Sequence, residues 1–315
     1  TILGPGPAFT ASRTAGTQFS LNLNAGQVYL AVANGDLTGS IITADKPIAL
    51  FGGATISFVG FCSAGDHLCE QVLPPSNYGT QYVTAPLQTR LGGDMFRITA
   101  LQNGTSFTIN GGAPFVLNAN QWKDTVLAVA SEIISNKKIM LAQFARGSNC
   151  DAQLGDPFMI MLHPITEMNT NSLFFMFNPF SQFPVRYVNI IVATANTGSV
   201  QLNGVGIGAS FAPVPSNPLY SFAQMTVPVG TNRITCPQGF VANAYAFGGY
   251  ISYGHAIGDV KNILNNPVLK ASCSGNGVVL NATQGSGYIW SPATSLNCST
   301  CQSVCLLYTS DAADE

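Results

Sequence analysis

Residues 94–110 read DMFRITALQNGTSFTIN, and this stretch indicates the fold class. Apolar and polar side chains alternate along Asp94–Leu101 and again along Thr105–Asn110, as they do in half-buried strands. Asn103-Gly104 between them is a strong short-range signal for a tight hairpin. We therefore predict two antiparallel strands joined by this turn.

The same alternation continues outward from this stretch over most of the chain. Strands are predicted, among other places, at Phe19–Leu23, Val28–Val32, Gly39–Thr43 and Pro47–Phe51, with Asn- and Gly-containing turns between them. No amphipathic helix of about ten or more residues is visible. These patterns predict an all-β protein.

Internal repeats extend this prediction. Segments resemble one another at a spacing near 90 residues, as in Ile42–Leu50 with Ile133–Leu141, Phe107–Gly111 with Val200–Gly204, and Phe19–Gln27 with Phe115–Gln121. We predict tandem antiparallel β-sandwich-like modules over residues 1–92, 93–187 and 188–258. A β-propeller-like arrangement with two blades per period is the alternative.

The C-terminal part has a different pattern. Residues 259–266 are linker-like, and residues 267–304 carry a Cys273 strand followed by a Trp290 strand, which is how an immunoglobulin-like sandwich begins. Residues 305–315, CLLYTSDAADE, can be back-translated into a transposon adapter of the kind used in sequencing libraries. We interpret them as an artefact, and we expect the gene fragment to be truncated at both ends.

Composition excludes several classes of protein. Only 8% of the residues are charged and the net charge is −2, which excludes a binder of nucleic acid through a basic surface. An apolar content of 46% excludes charge-driven disorder. No apolar run reaches the roughly 18 residues of a membrane helix. Eight cysteines indicate an oxidising, extracytoplasmic setting.

Three segments together resemble one known family. They are Asp36–Phe51; Cys62 with Asp66–Gly79 (DHLCEQVLPPSNYG); and Gly155–Met159 with Pro164 and Glu167. They resemble the IgG-Fc-binding protein N-terminal domain family over roughly residues 19–258, with Met168 where a Gln is expected. The resemblance implies a secreted or surface-displayed adhesion or binding protein. The C-terminal segment 290–301 resembles the Ig-like modules of Bacteroidota surface proteins, which implies a bacterial surface protein that uses type IX secretion.

Four residues are candidates for a ligand-binding site: Asp66, His67, Glu70 and Asp156. A histidine among carboxylates can bind a divalent cation or move protons. The simpler interpretation is a structural turn in a small loop closed by Cys62 and Cys69, because a Gly-Asp pair recurs 90 residues later without a histidine. We predict no catalytic residues, no metal site and no cofactor.

The cysteines are interpreted as disulfide partners. The candidates are Cys62, Cys69, Cys150, Cys236, Cys273, Cys298 and Cys301. Cys298-x-x-Cys301 has no further ligands at zinc-finger spacing, so a local disulfide, or a bond from one of the pair to Cys273, is favoured over zinc.

An aromatic-rich segment covers residues 174–180 and 183–187. We interpret it as a buried strand followed by a loop. The alternative is an exposed rim that stacks on sugars or packs on a partner.

We predict a non-catalytic extracellular protein for adhesion or ligand binding at a bacterial cell surface, with a protein or glycan as its ligand. One alternative is the carbohydrate-binding part of a secreted polysaccharide-degrading protein, and another is a structural spacer. A hydrolase is favoured only if the four candidate residues surround one pocket.

Overall fold

The prediction of an all-β protein is confirmed. The computed structural model describes residues 14, 16–151, 154–258, 268–274, 277–283, 296–301 and 303–306. These contain twenty strands, the four-residue helix α1 (Ser148–Asp151) and short 3-10 helices. The 3-10 helices are Val59–Phe61, Pro75–Asn77, Ile165–Glu167, Pro179–Ser181, Thr194–Ser199 and Gly208–Ser210.

The chain divides into two compact units, residues 1–43 and residues 44–315. The described part of the first unit contains turns but no strand, so the strands predicted within residues 16–43 are wrong. The physical reason is that a strand needs a partner for its backbone groups, and no ladder forms among the described residues there. Their apolar side chains are exposed, Val32 at 77% for example.

The second unit begins with a two-stranded sheet. Strands β1 (Phe51–Ser57) and β2 (Asp66–Gln71) are antiparallel, with Phe51 opposite Gln71 and Ser57 opposite Asp66. The strand predicted at 47–51 therefore starts four residues later, at Phe51.

A seven-stranded sheet follows, built around one long strand. Its members are β3 (Gly79–Thr84), β4 (Asp94–Ala100), β5 (Thr105–Ile109), β6 (Phe115–Leu117), β7 (Trp122–Leu127), β8 (Ser131–Phe144) and β9 (Met159–Met161). The order is β6-β5-β8-β4-β7, and β3 and β9 also pair with β8. Because β8 has fourteen residues, its two ends can serve different neighbours.

An eight-stranded sheet has the same plan. Its members are β10 (Asn169–Met176), β11 (Val185–Ala193), β12 (Gln201–Leu202), β13 (Val205–Gly206), β14 (Ala212–Val214), β15 (Asn217–Thr226), β16 (Gly230–Gly248) and β17 (Ile251–Ile257). The order is β13-β12-β16-β11-β15-β14, and β10 and β17 also pair with β16. Strand β16 thus has the place that β8 has in the seven-stranded sheet.

Both long strands depart from regular pairing at corresponding points. Between β3 and β8 the register shifts after Gly79–Ile139, and the next pair is Gln81–Ile134. Between β10 and β16 it shifts after Asn169–Phe240, and the next pair is Asn171–Thr235. Such bulges bend a strand and increase its twist, which lets one strand belong to both halves of a curled sheet.

Turns also recur. Asn110-Gly111 and Asn203-Gly204 each have two positive φ angles, 54° and 68° in the first and 52° and 80° in the second. This pair of conformations suits a tight hairpin between twisted strands, and the turns join β5 to β6 and β12 to β13. The division into repeats over 1–92, 93–187 and 188–258 stays a prediction, which these shared details support.

The hairpin predicted at Asn103-Gly104 is wrong as a pairing, although both of its strands exist. β4 and β5 do not bond to each other; each pairs with β8 and they lie on either side of it. The long strand β8 lies further along the chain, and in the sheet it is placed between β4 and β5 and pairs with both. The turn therefore crosses from one half of the curled sheet to the other.

The two large sheets share a core. Phe158 and Ile160 on and beside β9 pack with Tyr245 and Phe247 of β16, and all four side chains are buried. Gly254 on β17 permits this approach, since a Cβ atom there would lie 2.3 Å from Cε2 of Phe158.

The last sheet has three antiparallel strands, β18 (Val268–Ser274), β19 (Gly277–Thr283) and β20 (Ser303–Leu306). The linker at 259–266 and the Trp290 strand lie outside the described residues, so the immunoglobulin-like module stays a prediction. Cys305 and Leu306, the first residues of the predicted adapter artefact, lie in β20, and the rest of it is outside the described residues.

Candidate functional site: an open aromatic cleft

An open cleft of about 450 Å³ lies on the second unit where β2, β10 and β17 come together. Eleven residues line it: Asp66, His67, Phe175, Phe177, Pro179, Gln182, Phe183, Ile251, Ser252, Tyr253 and His255. Two of the four predicted site residues are therefore in the lining, together with much of the aromatic segment.

Strand β10 supplies exposed rings because its side chains alternate. Phe174 and Met176 point into the core, whereas Phe175 and Phe177 are each 55% exposed. The interpretation of this segment as a simply buried strand is wrong for every second residue. The buried residues hold the strand against β16, and the exposed ones face the cleft.

The loop after β10 is held in shape by its own polar groups. Asn178 Oδ1 accepts a hydrogen bond from the Phe183 N–H at 2.8 Å. The Arg186 guanidinium donates to the carbonyl oxygens of Phe183 and Val227. Phe180 adopts a left-handed φ of 52° and is 94% exposed at the tip. A non-glycine residue in this conformation is strained, so the surrounding hydrogen bonds define the loop.

Strand β17 contributes a row of rings. Tyr253 meets Phe183 edge to face at 4.9 Å between ring centroids, and His255 stacks on Tyr253 at 6.3 Å. The Tyr253 hydroxyl donates to the Phe177 carbonyl oxygen at 2.7 Å and accepts from the Phe177 N–H at 2.8 Å. Burial lowers the pKa of His255 below its ordinary value of 6.5, so its imidazole is neutral at pH 7.

Asp66 and His67 form a pair at the start of β2. Asp66 Oδ1 accepts the His67 N–H at 2.7 Å and lies 2.9 Å from His67 Nδ1. The side chain of His67 is 71% exposed and that of Asp66 is 25% exposed. Asp66 therefore orients the histidine ring at the edge of the cleft.

A disulfide fixes the loop before this pair, but it is not the predicted one. Cys62 is bonded to Cys150, 88 residues away, and Cys69 is free and exposed. The small Cys62–Cys69 loop is wrong because Cys69 lies within β2, opposite Gly53 of β1. Asn149 Oδ1 also accepts the Ala64 N–H at 2.7 Å, so the segment before Asp66 is held against α1.

The other candidate cysteines have separate outcomes. Cys298 and Cys301 are bonded to each other. Cys236 lies on β16 of the eight-stranded sheet, where it is free and buried in the core. The side chain of Cys273 lies outside what the structure describes.

Asp156 lies beside the cleft but does not line it. Its side chain is buried, its N–H donates to Ser252 Oγ at 3.3 Å, and the Ser252 hydroxyl donates to its carbonyl oxygen. Burial raises the pKa of Asp156, the nearby carboxylate of Asp66 raises it further, and Arg90 opposes both effects. Asp66 and Asp156 are thus electrostatic neighbours although 90 residues separate them.

Glu70 is not part of the cleft. It lies on β2 opposite Gly52, on the same side of the strand as the buried Leu68. Burial raises the pKa of Glu70 to about 7. The four candidates therefore do not surround one pocket.

Sequence reasoning missed the β17 side of the site. Tyr253, His255 and Ile251 recur at every second position, which is a strand signal, yet nothing in the sequence indicates that they face Asp66. Within the described ranges, no group of three or more His, Cys, Asp or Glu side chains is arranged to hold a metal ion.

Comparison with known proteins agrees with the family resemblance. The profile of the family described as IgGFc binding protein matches residues 3–246. The chain belongs to the IgGFc binding protein family. No curated protein and no solved structure matches the chain.

Membership of the IgGFc binding protein family defines the broad role. The family is a ligand-binding family with protein ligands and an extracellular setting, which the disulfides fit. None of the helices in the described part of the chain is long and apolar enough to cross a membrane.

Proposed function

We propose that this chain is a non-catalytic adhesion or ligand-binding protein displayed at a bacterial cell surface, and that the aromatic cleft is its binding site. Family membership supports binding as the role. The cleft supports the location, because it places the exposed rings of Phe175 and Phe177 next to the partly buried rings of β17 and the Asp66–His67 pair.

The observation that carries this proposal is the exposure of Phe175 and Phe177. Each leaves more than half of its side chain in water, 55% in both cases. An exposed apolar surface next to a cleft with a few polar groups is typical of an interaction site. Large rings also contribute strongly to binding energy when a partner covers them.

Binding fits the cleft better than hydrolysis. A hydrolytic site needs a nucleophile or activated water between an acid and a base. Glu70 lies outside the cleft and the carboxylate of Asp156 is buried behind it. Asp66 and His67 remain as a two-residue pair in which the carboxylate orients the ring.

The experiment is an array of bacterial and host extracellular proteins and of glycans, probed with the full chain. A double variant, Phe175→Ala with Phe177→Ala, removes the exposed rings. Phe51→Ala is the matched control, because Phe51 is 61% exposed on a strand but does not line the cleft.

We expect specific protein binding that the double variant reduces at least about tenfold and the control leaves unchanged. Binding that is equal in all variants would place the ligand elsewhere and overturn the assignment of the cleft. No specific binding to either array would favour a structural spacer. For the surface location, the complete gene is expected to encode a secretion signal and a type IX sorting domain.

A further inference from the structure

The lining of the cleft contains one fixed charge. Of its eleven residues, Asp66 is the one that belongs to the Asp, Glu, Lys and Arg types. Its Oδ1 is occupied by His67, whereas Oδ2 has no hydrogen-bond or ion-pair partner among the described residues. An ionised carboxylate oxygen accepts strong, charge-assisted hydrogen bonds, so this atom can bind a donor from outside.

The other polar groups of the walls are largely used within the protein. The Tyr253 hydroxyl both donates to and accepts from the backbone of Phe177. The Ser252 hydroxyl does the same with the backbone of Asp156. Apart from Asp66 and His67, the walls then offer ring faces and the polar side chains of Gln182 and His255.

The charges around the cleft favour a cation. The pKa of His255 is lowered by burial, so this ring adds no positive charge at neutral pH. Behind the lining, the charge of Arg90 opposes that of Asp156, so Asp66 remains the charge that faces the cleft.

The basic groups nearby are engaged elsewhere. Arg90 lies 4.0 Å over the ring of Phe247 and donates to the Leu154 carbonyl oxygen. Arg186 donates to backbone carbonyl oxygens beneath the loop. Neither arginine lines the cleft.

We infer that the cleft binds a Lys or Arg side chain presented by the protein ligand, with the charged head at Asp66 Oδ2 and the apolar stem against Phe175 and Phe177. This inference rests on the proposed function. Lysine and arginine combine an apolar stem with a charged head, and cations are attracted to the faces of aromatic rings. The cleft offers both surfaces side by side.

The test uses two small probes, Nα-acetyl-arginine N-methylamide and its neutral analogue Nα-acetyl-citrulline N-methylamide. Binding is followed by NMR of the full chain labelled in histidine, since His67 and His255 lie in the lining. We expect the arginine probe to shift both ring signals and to bind at least about tenfold more tightly than the citrulline probe.

Asp66→Asn removes the charge, and the asparagine oxygen can still accept the His67 N–H. We expect this variant to abolish the preference for the arginine probe. Asp124→Asn is the control for net charge, because Asp124 pairs with Arg97 away from the cleft. We expect this variant to keep the preference for the arginine probe.

The outcomes separate the inference from the proposed function. If both probes bind with equal affinity and the Phe175/Phe177 double variant loses this binding, the inference of a cationic ligand is overturned. The cleft then remains a binding site. Glycan binding that depends on the two rings but not on the Asp66 charge assigns the site to a sugar and also overturns the inference. No response to either probe, together with array binding unaffected by the double variant, overturns both.

Discussion

Replacing Gly254 with alanine tests the packing between the two large sheets. The new Cβ atom would lie 2.3 Å from Cε2 and 2.7 Å from Cδ2 of Phe158, and 2.8 Å from Cδ1 of Ile160. Phe158 is only 6% exposed and Ile160 is fully buried, so neither can move aside into solvent. Either these side chains leave their rotamers or β17 moves away from β9.

The magnitude follows from two opposing effects. Overpacking a core costs about 1–3 kcal/mol. Replacing glycine by alanine in a permitted conformation stabilises by about 0.4–1 kcal/mol through the unfolded chain. We expect G254A to lose about 1–2 kcal/mol of unfolding free energy, which lowers Tm by about 2–8 °C in a domain of 150–250 residues.

The assay is differential scanning calorimetry together with urea denaturation, with Gly249→Ala as the matched control. Gly249 has nothing within 4 Å of its would-be Cβ, and its φ is outside the left-handed region. We expect the control to be neutral or slightly stabilised. Equal stability of the two variants would refute the described contact, as would a double-mutant cycle with Phe158→Leu that shows no coupling.

Three further predictions concern the cysteines and Glu70. Replacing Cys62 and Cys150 together by serine is expected to cost about 4–5 kcal/mol in the chain-entropy relation, given the separation of 88 residues; urea denaturation measures it, and no change would contradict the bond. In native protein, iodoacetamide is expected to modify Cys69, which is exposed, and to spare the buried Cys236 until the chain unfolds; mass spectrometry detects both, and early modification of Cys236 would contradict its burial. Because the folded pKa of Glu70 is raised to about 7 from 4.5, the folded chain binds more protons between these values, so its contribution to stability falls as pH rises through this window. Glu70→Gln is expected to be more stable than the wild type at pH 8 and to weaken the dependence of the unfolding free energy on pH between pH 5 and 7. An unchanged pH profile would refute the raised pKa of Glu70.

The strands were predictable where the sequence alternates and a partner strand exists. Asp94–Ala100 and Thr105–Ile109 form the strands expected of them. Their pairing was not predictable, because the neighbour of each is β8, more than 20 residues further along the chain. A local turn signal does not indicate that a distant strand lies between the two strands that flank the turn.

The strands predicted at 19–23, 28–32 and 39–43 show the opposite limit. Their alternation is as clear as that of β4, yet no ladder forms in the described part of that unit. Alternation of apolar and polar residues indicates which side chains would face a core. It does not indicate whether a neighbouring strand is present to pair with the backbone. The turn at Asn24–Gln27 nevertheless keeps the geometry of Asn118–Gln121, with the glutamine Oε1 accepting the asparagine N–H at 2.8 Å in both.

The site was half predictable. Asp66 and His67 were selected by residue type, and both line the cleft. Tyr253 and His255 reach it because β17 and β2 both pack beside β9. The cleft thus joins segments almost 190 residues apart. The disulfide partner of Cys62 was missed for the same reason, because the nearest cysteine along the chain is not the nearest in space.

The Cys62–Cys150 bond also has a mechanical consequence. When the chain is pulled from its ends, the segment between the two sulfurs, whose cysteines are 88 positions apart, carries no load and cannot be extended. At about 3.3–3.6 Å per extended residue, this withholds roughly 300 Å of contour length from stretching. A pulled molecule would therefore yield a shorter tether in oxidising surroundings than after reduction, and the seven-stranded sheet, most of which lies inside the bridged segment, would be shielded from the force.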